Sequence, residues 1–220
     1  MLQIWGRRNS NNVMPVMWTV GELGIEFERH NAGGSFGGVD TPEYLEMNPN
    51  GKIPVINDDG FVLFESQAII RYLSTKYAKG TLAPEDPQAF AIADQWMEWY
   101  KTTVFGPFLG LLIAVVRTEE GKRDQGRIFS LNADLGGLLD ILDEQLAKHE
   151  YVAGDTFTMA DIPLGGAIYR YYEMAVPHHK RPHIQAWQER LKERPAFQTH
   201  VMFPFGRNLA EWNALEQQDA

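Results

Sequence analysis

Apolar and polar positions along the chain fall into two regimes. Up to about residue 80, short apolar runs alternate with stretches of helical spacing. Leu2–Trp5 is a strand-like run. After the polar segment Gly6–Asn12, apolar residues recur at Val13, Val16, Met17, Val20 and Leu23, the spacing of one helix face, with Gly24 as a stop. Pro15 suits that helix only because it falls in the first turn, where its missing N–H is not needed. Ile25–Arg29 predicts a second strand, and the glycines at 33, 34, 37 and 38 mark Asn31–Asp40 as a flexible loop. Thr41-Pro42 reads as an N-cap followed by proline at the first helical position of a short helix. The segment NPNGKIPVI is a turn feeding a strand, and Asp58-Asp59-Gly60 is a hairpin turn before a strand at Phe61–Phe64. Ser66 opens a helix with Ile69, Ile70, Leu73 and Tyr77 on one side. This order predicts one α/β layer domain over residues 1–80.

Beyond the linker, residues 81–86, the pattern contains no convincing strand, and residues 87–220 read as an all-α domain with a tail. A long helical region runs from Pro87 to Thr118, with a bend expected at Gly106-Pro107. Another helix carries Leu135, Leu138, Leu139, Leu142 and Leu146. Thr158-Met-Ala-Asp161 has the form of a capping box with Asp in place of Glu, and Phe157 and Ile162 are placed to staple it. Ile184, Trp187 and Leu191 mark a later helix. The tail after Val201 has no clear pattern, so a lid and a disordered end both remain open.

Composition narrows the chemistry. The 220 residues include no cysteine, which excludes a disulfide framework, a thiolate zinc site, a C-x-x-C redox pair and a cysteine nucleophile. Any thiol chemistry must use a thiol that arrives with the substrate. The net charge is −9, and residues 1–80 hold 7 basic against 9 acidic side chains, so neither part has the basic excess of a nucleic-acid binder. The start MLQIWGRR lacks the apolar core of a signal peptide. The longest apolar run, Val104–Val116, is broken by Gly106, Pro107 and Gly110 and is too short to span a membrane. The expected setting is the cytoplasm. His179 and His183 are four apart, but Pro182 lies between them and no carboxylate is near in sequence. Together with His178 they read as a surface turn, and no metal is expected.

Three segments carry the site. Pro54 stands at the start of a strand, where it cannot donate to a ladder. A cis Ile53–Pro54 bond would leave the N–H and C=O of Ile53 free to pair with an extended peptide, and a trans proline at a strand edge is the alternative. Glu65-Ser66 lies at a strand-to-helix junction. Ser66 as N-cap would leave helix N–H groups for a carboxylate, and Glu65 would accept from an ammonium; a plain cap beside a solvated Glu is the other reading. Ser10 and Asn12 in RRNSNN can both donate near the first helix, although ordinary capping also uses these residues.

The order of these pieces, with N-P-N-G-K-I-P after a glycine-rich loop and then F-E-S-Q-A-I-I-R-Y-L, resembles the thioredoxin-like domain of a glutathione transferase. T-F-T-M-A-D-I-P-L-G and P-H-I-Q-A-W-Q-E-R-L-K-E-R-P-A-F resemble that family's helical C-terminal domain. The likeness covers about residues 1–201 and is to bacterial members with Ser or Asn at the site. It implies glutathione as co-substrate, with Ile53 ahead of a cis Pro54 pairing with the cysteinyl unit. Glu65 and Ser66 would hold the γ-glutamyl end, and Lys52 the glycyl carboxylate. Ser10 would donate to the sulfur, with Asn12 as its rival. It also implies a homodimer and a detoxifying transfer to a small hydrophobic electrophile. Trp99, Tyr100, Phe105 and Phe108 are candidates for the electrophile's pocket, and Tyr169, Tyr171 and Tyr172 could also reach it. Reduction of peroxides or disulfides by glutathione, or a non-catalytic interaction role on the same fold, are the alternatives. The sparse side chains of SFGGVD, and Gly51 where some Ser-type members carry His, depart from the pattern at the glycyl end. A free thiol of pKa about 8.5 is only about 3% ionised at neutral pH, and about 2.7 kcal/mol of preference for the anion lowers it by about two units.

Overall fold

The computed structural model describes residues 1–217. Its sheet contains β1 (Leu2–Trp5), β2 (Phe27–His30), β3 (Val55–Asp58) and β4 (Phe61–Phe64), in the order β2-β1-β3-β4. β1 runs parallel to β2 and antiparallel to β3, with Ile4 opposite Ile56 in the buried centre. β2 starts at Phe27 rather than Ile25 because its register is set by β1, Leu2 pairing with Phe27. The hairpin joining β3 to β4 turns on Asp59 (φ 51°) and Gly60 (φ 95°), both positive as a two-residue type I′ turn requires. Asp58 closes β3 instead of entering the turn. Its buried carboxylate accepts from Lys76 (2.7 Å), Tyr72 (2.8 Å) and Tyr77 (2.9 Å). Burial alone would push its pKa up, but these hydrogen bonds outweigh it and hold the pKa below the ordinary range.

Helix α1 (Val13–Leu23) crosses from β1 to β2, and α2 (Pro42–Met47) is capped by Thr41, whose Oγ1 accepts from the Tyr44 N–H at 3.3 Å. α3 (Ser66–Tyr77) follows β4. The glycine-rich loop is ordered into a 3₁₀ turn at Gly34–Phe36.

The second unit is helical. α4 (Pro87–Trp99) and α5 (Phe105–Val115) are joined by a π turn, Tyr100–Val104, so the irregularity precedes the expected bend at Gly106-Pro107. Pro107 has no N–H for the preceding turn and crowds its carbonyls; the widened turn relieves this, with the Phe105 N–H bonded to the Tyr100 carbonyl. α6 (Gln125–Leu146), α7 (Asp161–Glu173), α8 (Pro182–Lys192) and α9 (Pro195–His200) complete the bundle, and the tail folds as α10 (Leu209–Gln217). The capping box is half formed. Asp161 accepts from the Thr158 N–H at 3.0 Å, but Thr158 Oγ1 accepts from Ala160. Asp161 also takes the Val152 N–H and the Trp187 indole N–H, both at 2.9 Å, and burial pushes its pKa up to about 6 against these donors.

The two units share one core. α7 lies close on α1 because Gly165 and Gly166 carry no side chains: a Cβ at Gly166 would sit 2.5 Å from Met14 Cε. Arg71 of α3 pairs with Asp94 and Glu98 of α4 across the same junction.

Candidate functional site

A cavity of about 280 Å³ opens where the β1–α1 loop, the glycine-rich loop and Lys52-Ile53 face α5 and α10. Of the sequence-predicted residues, Ser10, Asn12, Lys52, Ile53 and Phe105 line it.

Ser10 is buried, and it caps α1. Its Oγ accepts from the N–H groups of Asn12 (3.2 Å) and Val13 (3.4 Å), and its carbonyl takes the Met14 N–H at 2.9 Å. Ordinary capping and a donor role are compatible here, because a hydroxyl that accepts twice still has its own hydrogen to give. Asn12 stands on the same wall with its main-chain N–H committed to Ser10.

The loop around Ser10 is fixed from far along the chain. Arg170 of α7 is fully buried and donates to the Asn9 carbonyl (3.2 Å), Asn9 Oδ1 (3.1 Å) and Asn11 Oδ1. Phe203 and Phe205 of the tail pack on its guanidinium. Burial lowers its pKa to about 9, and Arg7 adds to that. Arg7 itself forms a buried pair with Glu216 of α10 at 2.6 Å, and Glu216 also accepts from the Ser35 N–H at 3.4 Å. Burial lowers the Arg7 pKa more than Glu216 raises it. Trp212 lies between Arg7 (5.9 Å) and Arg117 (5.1 Å), roofing the cavity. The described part of the tail is therefore a lid; residues 218–220 lie outside the described residues.

The opposite wall is main chain. Ile53–Pro54 is cis, and among the described residues the N–H and C=O of Ile53 have no hydrogen-bond partner. The carbonyl of exposed Lys52 is held by Tyr44 (2.8 Å) and Asn48 (2.7 Å). Ser66 is not the N-cap of α3 but its first helical residue; Glu65 occupies the cap with φ 71°, a strained value for a residue with a side chain. The Ser66 hydroxyl is buried without a partner, and the exposed Glu65 carboxylate lies 3.9 Å from Lys101. Pro54 follows Ile53, and Glu65-Ser66 follow Phe64, which pairs with Val55 across β3 and β4, but none of the three lines the cavity.

The expected aromatic pocket is corrected. Phe105 lines the cavity together with Leu109, four residues on and on the same helix face. Phe108 and Tyr100 point the other way into the core, and Trp99 packs edge-on against Trp96 at 5.1 Å. Tyr169 faces a separate hollow beside Phe203. Tyr171 is buried, and His178 packs on both Tyr171 and Tyr172. The rest of the wall is Arg7, Arg117 and Trp212. With Lys52, three cations and no carboxylate line the cavity among the described residues, which suits an anionic peptide. Sequence reading missed Asn9, Asn11 and Arg170 because their partners lie about 160 positions apart. The spacing of Leu209, Trp212 and Leu215 was the available signal for α10.

Residues 1–75 match the family model described as glutathione S-transferase, N-terminal domain, and residues 86–195 match that for the C-terminal domain. The chain is 37% identical over 206 residues to glutathione S-transferase GstB of Escherichia coli K12, covering 93% of this chain and 99% of that protein. It is 36% identical over 206 residues to glutathione S-transferase F13 of Arabidopsis thaliana, covering 89% and 93%. Among solved structures, the theta class glutathione S-transferase of Xanthomonas axonopodis pv. citri with glutathione bound superposes with a TM-score of 0.89. It shares 45% identity over 92% of this chain and 98% of that one.

Proposed function

The chain belongs to the glutathione S-transferase family, and on that premise we propose that it ionises the thiol of bound glutathione for attack on a small electrophile in the roofed cavity. The observation that carries this reading is the facing of Ser10 and the unpaired main chain of Ile53 across one cation-lined cavity. An extended cysteinyl unit pairs with the N–H and C=O of Ile53, which places its sulfur toward the Ser10 hydroxyl. Lys52 neutralises the glycyl carboxylate. The N-terminus of α3 with Ser66 receives the γ-glutamyl carboxylate, and Glu65 its ammonium group.

The thiol proton passes to water, and the anion is held by the hydroxyl hydrogen and the N-terminal end of α1. The thiolate then forms a bond to the electrophilic carbon while the leaving group departs with its electron pair. No protein side chain becomes covalently bound. Phe105, Leu109 and Trp212 present the apolar surface for the electrophile. The exposed Phe61 and Val62 on edge strand β4 are apolar surface available to a second copy in a homodimer.

Calorimetry with glutathione, followed by turnover of 1-chloro-2,4-dinitrobenzene and of a hydroperoxide, tests the reading. Binding with faster conjugation supports it. Faster peroxide turnover shifts the chemistry to reduction, and absence of binding leaves an interaction protein on the same fold.

A further inference from the structure

We propose that Asn9 is a second donor to the glutathione sulfur, aimed by the buried guanidinium of Arg170. The proposal rests on the glutathione reading above. A guanidinium can only donate, so the amide atom facing it must be oxygen. Arg170 meets Asn9 Oδ1 at 3.1 Å and the Asn9 carbonyl at 3.2 Å, and it also holds Asn11 Oδ1. That fixes the Asn9 amide without ambiguity and turns its NH₂ group away from the guanidinium. The nitrogen is buried and has no hydrogen-bond partner, in a side chain only 4% exposed that lines the cavity next to Ser10. A buried donor left unpaired is disfavoured unless something arrives to accept from it.

The sulfur anion is the acceptor whose chemistry fits. Ser10 has a single hydrogen to offer, whereas a thiolate accepts from several donors at once and each one favours the ionised form. Charge acts in the same direction. Among the described residues the charged or titratable groups acting on Arg170 are Arg7 on the β1–α1 loop and the Tyr100 phenol on the π turn, with no carboxylate among them. Among the described residues the guanidinium thus stands behind the loop without a counter-ion, and an anion at the loop's outer face supplies one. Arg170 acts through Asn9 and is a positioning residue, whereas Asn9 touches the sulfur.

The test uses Asn9→Ala, Asn9→Asp and Arg170→Lys, with the pKa of bound glutathione followed by thiolate ultraviolet absorbance. Asn9→Ala is expected to raise that pKa by about one unit, so kcat/KM for chlorodinitrobenzene falls about tenfold below it and recovers at high pH. Asn9→Asp preserves size and the bond to Arg170 but replaces the donor with an anion, and is expected to raise the pKa further. Arg170→Lys keeps the charge without the fork and should fall between wild type and Asn9→Ala. A purely structural Asn9 would leave the thiol pKa unchanged in Asn9→Ala, the neutral variant, because Asp raises it by charge repulsion whether or not Asn9 donates. Circular dichroism checks folding, and if Arg170→Lys fails to fold the Asn9 variants decide alone. An unchanged thiol pKa in Asn9 variants that still bind glutathione overturns the proposal alone. Failure of the unaltered protein to bind glutathione overturns the functional reading and the proposal together.

Discussion

Around Ser10 the cavity wall is held by side chains bonded across the whole chain, whereas around Ile53 it is made of main chain shaped by local residues. The first wall depends on Arg170 reaching Asn9 and Asn11, and on Glu216 reaching Arg7. The second depends on a cis proline, the N-terminus of α3 and a strained Glu65. A peptide ligand offers regular N–H and C=O groups, and main chain matches these without help from distant elements. A sulfur has no such repeating partner. It needs polar side chains aimed at one point, and a loop can aim them only if something rigid grips it.

The largest effect expected from breaking this comparison is on stability. Arg170→Met leaves the oxygens of Asn9 and Asn11 without a donor inside the core, and should lower stability by about 3–5 kcal/mol. A urea titration would show this as a lower midpoint at unchanged slope. A loss below about 1 kcal/mol would mean that the loop holds its shape unaided. Next is Glu216→Gln, which leaves Arg7 buried without its charge partner. It should weaken the docking of α10 by about 2 kcal/mol, seen as faster amide exchange over Leu209–Gln217 with β1 unaffected.

Ser10→Ala is smaller in stability but larger in chemistry. Loss of the α1 cap should cost about 1 kcal/mol, and the pKa of bound glutathione should rise. Unchanged stability would show that Ser10 is not the cap. On the other wall Glu65→Gly has the opposite sign. It relieves the positive φ and should raise stability by about 0.5–1 kcal/mol, while glutathione binding weakens because the ammonium loses its acceptor. Calorimetry and thermal unfolding on the same sample read both effects, and a stability loss would show that the conformation is not strained.

The two walls were unequally legible. Pro54, Gly60, Thr41 and Ser66 each impose a local conformation, so the main-chain wall could be read from residues within a few positions of one another. Even there the register moved: Ser66 proved to be inside the helix, and Glu65 took the cap with a positive φ that no local preference of Glu explains. Phe105 lines the cavity, but Tyr100 and Phe108, which are buried in the core, were not separable from it in sequence. Which face of α5 meets the cavity depends on how that helix lies on the first unit and on the π turn before it.

By itself the sequence determined the α/β unit followed by helices, the absence of any protein thiol, and the proline and helix-start positions that shape the main-chain wall. These follow from periodicity, from turn chemistry and from residue inventory, all of which act over short separations. Only the tertiary structure decided which side chains grip the Ser10 loop and that the tail closes over it. Arg170 and Asn9 are 161 positions apart and Arg7 and Glu216 are 209 apart. A buried guanidinium has no sequence pattern announcing its partner, because its hydrogen bonds are directional and short, and the helices that bring the groups together are positioned by core packing.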